Sequence, residues 1–500
     1  MTEPVSSGTG AGLDFTIEID ATRDLAVDTD RVEALITIQT TSGGEPVPTA
    51  RIAEILIMDR SLSMLAQNKI HEARRAACAA VDALPGGALL GIVAGNRKAT
   101  PVFPPAGGLA AIDARTRTAA KSRVMSLWPE GGTRIGQWLA AANDLFATEP
   151  TAGVIRHAVL YTDGKNEHES RPELDAALTA CADRFICDVR GVGDDWDYTE
   201  LLHIAGALHG DATAVLRIAD LADDFIGLIR RVRRLVVPRT YLRLTLNDRF
   251  QIAAIAQTYP VEADLTRQRP AGATAVDVPL GSWEEQATRR YQVSLRFDPD
   301  TIPIGEKLRA ARVDLLAELT DGTCGPCAHA PLTVFRHDTP GFATMLPASF
   351  TQAEHERALG LAMRACADAW LHRRSADAEE ELNLALRLAR ELDDARLAVL
   401  ESLSVIGPGG RARLRTDVTV GEMQKLGLDS TKTARPAPEP RPAPPAPLAD
   451  AAGAEAGADK PESQASGTAA RVCDVCDEPN REDAAYCVKC GEPLGGRGGA

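Results

Sequence analysis

The chain has 500 residues, of which 44% are hydrophobic and 25% are charged, an ordinary composition for soluble globular protein. A chain of this length is too long for one hydrophobic core, so we expect roughly two to four domains. The formal net charge of −15 and the pI of about 5.2 argue against nucleic acid and anionic membranes as partners, because both need basic surfaces. No apolar stretch is long enough for a membrane span and no signal peptide is apparent, so we expect a cytoplasmic protein.

Two segments near the N-terminus alternate apolar and polar residues with a period of two, the pattern of half-buried strands. They are residues 13–19 and 32–38, and similar alternation returns after residue 240. Two strands cannot bury a face alone. We therefore expect residues 13–48 and 240–338 to form one β-sandwich, with residues 49–236 inserted as a separate domain.

Two unbroken apolar runs inside that inserted segment, 55–58 and 158–161, end in oxygen-bearing side chains. The first run leads into the sequence D-x-S-x-S and the second into T-D-G, while a lone threonine follows a Gly-Gly pair between them. Such runs, flanked by helical patterns, are typical of parallel strands covered on both faces, whose carboxyl ends bind ligands. The five oxygen-bearing residues are Asp59, Ser61, Ser63, Thr133 and Asp163.

Two carboxylates and three hydroxyls are hard donors that suit Mg²⁺, Mn²⁺ or Ca²⁺ and suit zinc poorly. Since only the two carboxylates are charged, a divalent ion held here keeps positive charge and an open position that suits a carboxylate from another molecule. Metal-assisted hydrolysis would need a poised histidine or glutamate. Glu167 and His168 follow Asp163, but polar loops commonly contain such residues. We therefore predict a binding site without catalytic residues.

These motifs, in this order, resemble a von Willebrand factor type A (VWA) domain over residues 51–234. The resemblance implies a metal-ion-dependent adhesion site (MIDAS) in which the three hydroxyls face the ion and the two carboxylates act largely through water. It also implies a protein partner that presents an acidic residue to the metal.

Two neighbours of the first motif depart from the family pattern. Leu62 stands where the family usually has glycine, and a positive φ at a leucine would be strained. Arg60 places a cation near the ion. Neither departure removes a ligand, but both bear on metal affinity.

The chain after the sandwich changes character twice. Residues 350–405 carry apolar residues at helical spacing with a break before Asp377, which predicts a helical hairpin that serves as a packing layer. Residues 433–470 are rich in Pro, Ala and Gly and have almost no large apolar side chain, which predicts a disordered linker.

Paired C-x-x-C motifs lie within residues 471–494, a segment too small to have a core of its own. This spacing indicates a four-thiolate zinc site and resembles a zinc ribbon. A disulfide framework is the alternative, which a reducing cytoplasm disfavours. With few basic residues and a single aromatic residue, Tyr486, the ribbon favours protein docking over nucleic acid. The predicted Zn²⁺ ligands are Cys473, Cys476, Cys487 and Cys490.

Cys324 and Cys327 reproduce the thioredoxin dithiol, Cys-Gly-Pro-Cys. Dithiol chemistry needs the first cysteine at a helix N-terminus, which lowers the pKa of the thiol. Here Asp321-Gly322 precedes the motif and a strand pattern follows it, so we expect a hairpin tip. A dithiol oxidoreductase remains an alternative function.

The predicted fold class is α/β: a doubly wound, mostly parallel, Rossmann-like sheet of VWA type inserted in a β-sandwich, then a helical hairpin and a zinc ribbon. Over its whole length the chain resembles cytoplasmic VWA proteins of actinobacteria, which accompany Ser/Thr kinases, phosphatases and FHA-type proteins. We predict a non-enzymatic, Mg²⁺-dependent protein-binding scaffold. A subunit of an ATP-driven or metal-handling complex is a further alternative, although the chain has no P-loop of its own.

Overall fold

The fold is that of a computed structural model, which describes most of the chain before residue 434. Two compact units are distinguished, Met1–Ala434 and Arg435–Ala500. Of the predicted linker, residues 434–470 lie outside the described residues, as do all four zinc-ribbon cysteines. The structure describes residues 6–10, 13–42, 50–149, 152–266, 273–318, 322–339, 344–433, 471–472 and 479–480.

Strands and helices alternate in the middle of the chain, whereas strands dominate before it and directly after it. The strands are β1 (Ser6–Gly10), β2 (Leu13–Ala21), β3 (Asp24–Leu25), β4 (Arg31–Ser42), β5 (Arg51–Asp59), β6 (Leu89–Gly95), β7 (Ala99–Phe103), β8 (Ala110–Ala111), β9 (Val154–Thr162), β10 (Ile186–Val192), β11 (Ala212–Val215), β12 (Leu235–Leu246), β13 (Phe250–Tyr259), β14 (Ala263–Asp264), β15 (Ala275–Glu284), β16 (Thr288–Phe297), β17 (Lys307–Glu318), β18 (Cys324–Arg336), β19 (Ser404–Ile406), β20 (Ala412–Leu414), β21 (Arg471–Val472) and β22 (Pro479–Asn480). The α-helices are α1 (Lys69–Ala83), α2 (Ala114–Met125), α3 (Ile135–Phe146), α4 (Arg171–Cys181), α5 (Tyr198–Ala207), α6 (Leu221–Val232), α7 (Ala348–Leu371), α8 (Ser375–Glu391), α9 (Arg396–Ser402) and α10 (Val420–Asp429).

The central domain is built on a sheet with the strand order β11-β10-β9-β5-β6-β7, and β8 pairs with β6. Strands β5, β6, β9, β10 and β11 pair in parallel, while β7 and β8 run antiparallel to β6. The chain moves from β5 to β6 on one side and later builds β9, β10 and β11 on the other. The winding therefore reverses between β5 and β9, and ligands bind at such switch points.

Helices cover both faces of this sheet, which explains why its central strand is apolar throughout. In β5, Leu56 and Met58 join the core beneath α1, α2 and α6. Ile55 and Ile57 point the other way, into the core beneath α3, α4 and α5. Successive side chains of a strand face opposite sides, so a strand buried on both faces needs apolar residues at every position. The predicted doubly wound α/β domain is confirmed.

Strands from both sides of this domain share two further sheets. One sheet has the order β1-β2-β4-β16-β13-β14 and the other β15-β12-β17-β18-β3. The two sheets enclose one hydrophobic core, in which the rings of Phe15 and Trp283 meet edge to face at 5.9 Å between centroids. Segments before residue 43 and after residue 234 therefore pack together although the whole α/β domain separates them in sequence.

The helices after residue 347 begin as the predicted hairpin, formed by α7 and α8. The structure then continues through α9, which lies within the predicted helical region 350–405. The antiparallel pair β19–β20 and helix α10 follow, largely beyond the segments for which the sequence predicts structure. Helix α10 packs against α5 of the central domain, where Gln424 accepts a hydrogen bond from the Tyr198 amide at 2.8 Å. Gly427 faces the Tyr198 ring so closely that a Cβ there would lie 2.5 Å from it. Among the described helices, none has the length and apolarity needed to cross a membrane.

Candidate metal centre

The structure brings the five predicted metal-ligating residues together at the switch point. Asp59 is the last residue of β5, and Ser61 and Ser63 lie in the turn that follows it. Asp163 comes directly after β9, and Thr133 lies in the loop before α3. Both carboxylates are buried, as are Ser61 and Thr133. The carboxyl ends of two adjacent parallel strands thus supply the carboxylates, and the neighbouring loops supply the hydroxyls.

Short hydrogen bonds link these groups into one cluster. The Ser61 amide donates to Asp59 Oδ1 at 2.7 Å, and the hydroxyls of Ser61 and Ser63 are 2.8 Å apart. Ser63 Oγ in turn donates to Asp163 Oδ1 at 2.7 Å. Thr162 Oγ1 donates to the other oxygen of Asp59, also at 2.7 Å. The cluster therefore joins the ends of β5 and β9 directly.

Thr133 reaches the same cluster from the third loop. A Cβ at Gly164 would lie 3.5 Å from both Ser63 Oγ and Thr133 Oγ1, so the two hydroxyls flank the same small space. The glycine of T-D-G leaves this space open between them. Side chains from three loops therefore surround one cradle.

The electrostatics of the cradle favour a cation. Burial, together with the nearby Asp163 carboxylate, raises the pKa of Asp59 to about 6. Two buried carboxylates close to each other are costly without positive charge between or beside them. Carboxylate and hydroxyl oxygens are ligands that hard divalent ions prefer, so the residues present fit Mg²⁺, Mn²⁺ or Ca²⁺.

A lysine that the sequence analysis does not single out also enters the site. Lys69 Nζ donates to Asp163 Oδ2 at 2.8 Å, and the exposed fractions of the two side chains are 3% and 0%. Lys69 opens α1 immediately before the buried residue Ile70. A lysine beside the apolar face of a helix is the signal that sequence reasoning could have used, but its partner lies 94 residues away.

The two departures from the family pattern have structural explanations. Leu62 is not among the described residues with positive φ, and its amide donates to the carbonyl of Gly131 at 3.0 Å. At this contact it is Gly131 that adopts the left-handed backbone conformation, with φ of 72°. Glycine adopts this conformation without strain, so the strain expected at Leu62 does not arise. Arg60 Nη2 pairs with Glu130 Oε1 at 2.7 Å, which offsets the charge of the arginine near the site.

The loop after Asp163 serves the structure of α3. Asn166 Oδ1 accepts a hydrogen bond from the Ile135 amide at 3.0 Å, and Glu169 Oε2 accepts one from the Gly136 amide at 2.7 Å. These side chains satisfy amides of the first turn of α3, which have no partner within the helix. Glu167 and His168 are exposed between them. Helix capping thus accounts for Asn166 and Glu169.

Cys324 and Cys327 lie in a strand. Cys324 is the first residue of β18, paired with Glu318 at the end of β17, and Cys327 Sγ donates to the Leu315 carbonyl at 3.2 Å. Burial raises the pKa of Cys327 to about 12 and also raises the pKa of Cys324. Reactive dithiols need the opposite shift, which a helix N-terminus provides. This geometry disfavours redox chemistry.

Comparisons with known proteins agree with this fold. Residues 53–214 match the family model of the von Willebrand factor type A domain. A solved structure described as von Willebrand factor type A from Catenulispora acidiphila is 29% identical with a TM-score of 0.76, covering 86% of this chain and 98% of its own. The ArnB paralog VWA2 from Sulfolobus acidocaldarius is 11% identical with a TM-score of 0.51, covering 84% of this chain and 98% of its own. None of the curated proteins compared matches the chain.

The α/β domain is therefore a VWA domain, a class whose members are generally non-enzymatic interaction domains and often bind partners through a metal at a MIDAS. The likeness to the Catenulispora protein reaches well beyond residues 53–214, because it covers 86% of the chain. At 11% identity, the Sulfolobus structure shows the fold alone.

Proposed function

We propose that this chain is a non-enzymatic, Mg²⁺-dependent protein-binding scaffold. Asp59, Ser61, Ser63, Thr133 and Asp163 would hold Mg²⁺, or Mn²⁺ or Ca²⁺ in its place, and the bound ion would supply an open position for an acidic side chain of a partner. The observation that carries the proposal is the hydrogen-bonded cluster of carboxylates and hydroxyls where β5 and β9 end. Only two of the five ligands are charged, so their charge does not exceed that of the ion, which can accept the carboxylate of a partner at its open position.

The surface around the cradle supports a protein as the partner. Leu62, in the turn between Ser61 and Ser63, is 57% exposed, and Trp128 is 64% exposed. Arg60 connects the turn that contains Leu62 to the backbone of Trp128, because it precedes that turn and its Nη1 donates to the Trp128 carbonyl at 3.3 Å. Large apolar side chains exposed beside a binding site mark protein interaction surfaces. The expected partner segment therefore carries an acidic residue with apolar neighbours.

Affinity capture tests the proposal. The full chain, immobilised, should retain a partner in Mg²⁺ and release it in EDTA, and mass spectrometry of the eluate identifies the partner. Thr133→Ala removes one neutral ligand and should weaken retention without unfolding the domain. Thr118→Ala, the same change on the exposed surface of α2, is the matched control. Retention that is equal in Mg²⁺ and EDTA would contradict the proposal.

The context of this function follows from the resemblance to cytoplasmic actinobacterial VWA proteins. We infer a cytoplasmic scaffold in kinase- and phosphatase-linked signalling, with FHA-type proteins among the candidate partners. The overall organisation supports a scaffold, because the helical segment contacts both the VWA domain, through Gln424 and Tyr198, and the two-sheet part, through Glu356 and Arg290. Identification of the captured protein tests this inference directly.

For the C-terminal segment, 471–494, we infer a zinc ribbon with Cys473, Cys476, Cys487 and Cys490 as ligands. Strands β21 and β22 support it, because they pair antiparallel around the first C-x-x-C motif, with Val472 opposite Pro479. The full chain should carry one equivalent of zinc by elemental analysis, and Cys473→Ser should lose it. Zinc that is retained by this variant would overturn the assignment.

A further inference from the structure

Lys69 is the cationic group in direct contact with the proposed metal cluster. Its ammonium group donates to Asp163 Oδ2 at 2.8 Å, while Asp163 Oδ1 accepts from Ser63. One oxygen of this carboxylate thus contacts the lysine and the other contacts the cradle. A second carboxylate, Asp195, lies 3.9 Å from the ammonium group but is 76% exposed, so water screens that contact.

The chain is shaped to bury this lysine. Two consecutive residues directly before α1 have a left-handed backbone conformation: Gln67 with φ of 51° and Asn68 with φ of 62°. Such residues cost free energy and persist only where the surrounding structure requires them. At Gly193, in the loop after β10, a Cβ would lie 3.2 Å from Lys69 Cε. The turn before α1 and this glycine hold the lysine stem in the interior, with the ammonium group at Asp163.

We propose that Lys69 is a built-in cation of the metal centre, which neutralises Asp163 and limits how tightly the site holds a divalent ion. This inference rests on the proposed function and adds a regulator of metal affinity to it. Without metal, the ammonium group offsets one of two buried carboxylates and keeps the cradle assembled. With metal, the two carboxylates face three positive charges, so the ion is held less tightly and attracts a partner carboxylate more strongly.

Three variants of the full chain separate the charge of Lys69 from its other contacts. Lys69→Met keeps most of the stem length and removes the charge, and Lys69→Arg keeps the charge. Lys165→Met removes an exposed lysine two residues after Asp163 and is the matched control for charge near the site. Calorimetric titration with Mn²⁺ measures affinity, and thermal melting in EDTA measures the stability of the metal-free protein.

Lys69→Met should bind Mn²⁺ at least about tenfold more tightly than wild type. The variant removes a positive charge that repels the ion, at a buried site where charges are poorly screened. It should also melt at a lower temperature in EDTA, since Asp59 and Asp163 then share the interior without a counter-charge. Lys69→Arg and Lys165→Met should stay close to wild type in affinity. If Lys69→Met is not folded in EDTA, Lys69→Gln, which keeps a hydrogen-bond donor, takes its place in the titration.

The outcomes distinguish this inference from the function beneath it. If wild type binds Mn²⁺ and Lys69→Met binds no more tightly, the inference fails and the proposed function stands. If Lys69→Met binds and wild type does not, the inference holds and metal-dependent partner binding by the native chain fails. If neither protein binds, both fail.

Discussion

Two buried charged clusters lie on the same strands of the VWA sheet and differ in their charge balance. At the carboxyl ends of β5 and β9, the Asp163 carboxylate contacts one cation, Lys69, and both Asp59 and Asp163 accept hydrogen bonds from neutral hydroxyls. Nearer the amino ends, Glu54 on β5 and Asp188 on β10 lie on either side of His157 of β9. The first cluster has an unmatched negative charge and the second has none.

The second cluster pairs its carboxylates with cations. His157 Nδ1 lies 2.9 Å from Glu54 Oε2, and His157 Nε2 lies 3.2 Å from Asp188 Oδ2, which Arg231 also contacts. Burial alone would lower the pKa of His157, but the two carboxylates raise it to about 9. Burial alone would raise the pKa of Asp188, but Arg231 and His157 hold it well below the ordinary range. Matched charge holds strands together, whereas unmatched charge beside hydroxyls suits the proposed metal site.

The largest effect is expected from a variant that removes a carboxylate from the first cluster. Asp59→Asn should lower Mn²⁺ or Mg²⁺ affinity by about 100-fold, at the upper end of the loss typical of groups that act on a metal through its direct ligands. Since burial and Asp163 already raise the pKa of Asp59, the change should not destabilise the metal-free protein. Calorimetry and urea unfolding measure the two effects. Unchanged metal affinity would remove Asp59 from the site.

The reverse pattern is expected for the second cluster. Asp188→Asn leaves Arg231 and His157 without their shared carboxylate, and breaking a buried pair costs about 3–5 kcal/mol. Metal affinity should not change. Asp82→Asn, which breaks an exposed pair with Lys121, is the control and should cost less than about 1 kcal/mol in urea unfolding. If the folded Asp188→Asn variant lost metal binding, the claim that only the first cluster serves the metal would be wrong.

The pH dependence of stability should report on His157. The pKa of this histidine is about 9 in the folded chain and 6.5 ordinarily, so its contribution is complete below pH 6.5 and disappears as the pH rises towards 9. The loss amounts to at most about 3 kcal/mol. His157→Gln should flatten the free energy of unfolding between these pH values. Parallel curves for the two proteins would show that His157 is not charged in the fold.

The smallest effect is expected at the dithiol. Replacing Cys324 and Cys327 with serine should leave metal affinity and partner capture unchanged, because both thiols lie in β18 and burial raises their pKa values. Stability should fall by about 1–2 kcal/mol, since the replacement of Cys327 puts a hydroxyl in the core. Capture that is lost in this variant but kept in Thr133→Ala would favour the redox alternative.

The sequence predicts the local parts of this molecule well and the non-local parts less well. Asp59, Ser61 and Ser63 share one turn, and Asp163 ends an apolar run, so their positions at strand ends follow from local pattern. Lys69 cannot be assigned in this way, because its partner is 94 residues away. Helix α10 has two glycines in ten residues, which obscure its apolar pattern although Gly427 is what lets it approach Tyr198.

Charges inside strands are hidden from sequence reasoning for a related reason. His157 is a polar residue of β9 directly before an apolar run. Nothing near it in the sequence indicates that Glu54 and Asp188 pair with it from the two neighbouring strands. Such a residue resembles a strand boundary in the sequence. Only the parallel register, which aligns Glu54 with His157, reveals the pair.

The central claim is that a divalent ion occupies the cradle between the ends of β5 and β9. Crystals of the full chain grown with Mn²⁺ would test it by anomalous diffraction. We expect one strong peak in direct contact with the hydroxyls of Ser61, Ser63 and Thr133, with Lys69 still paired to Asp163. A cradle without a peak at saturating Mn²⁺, or a peak at another place in the VWA domain, would contradict the account.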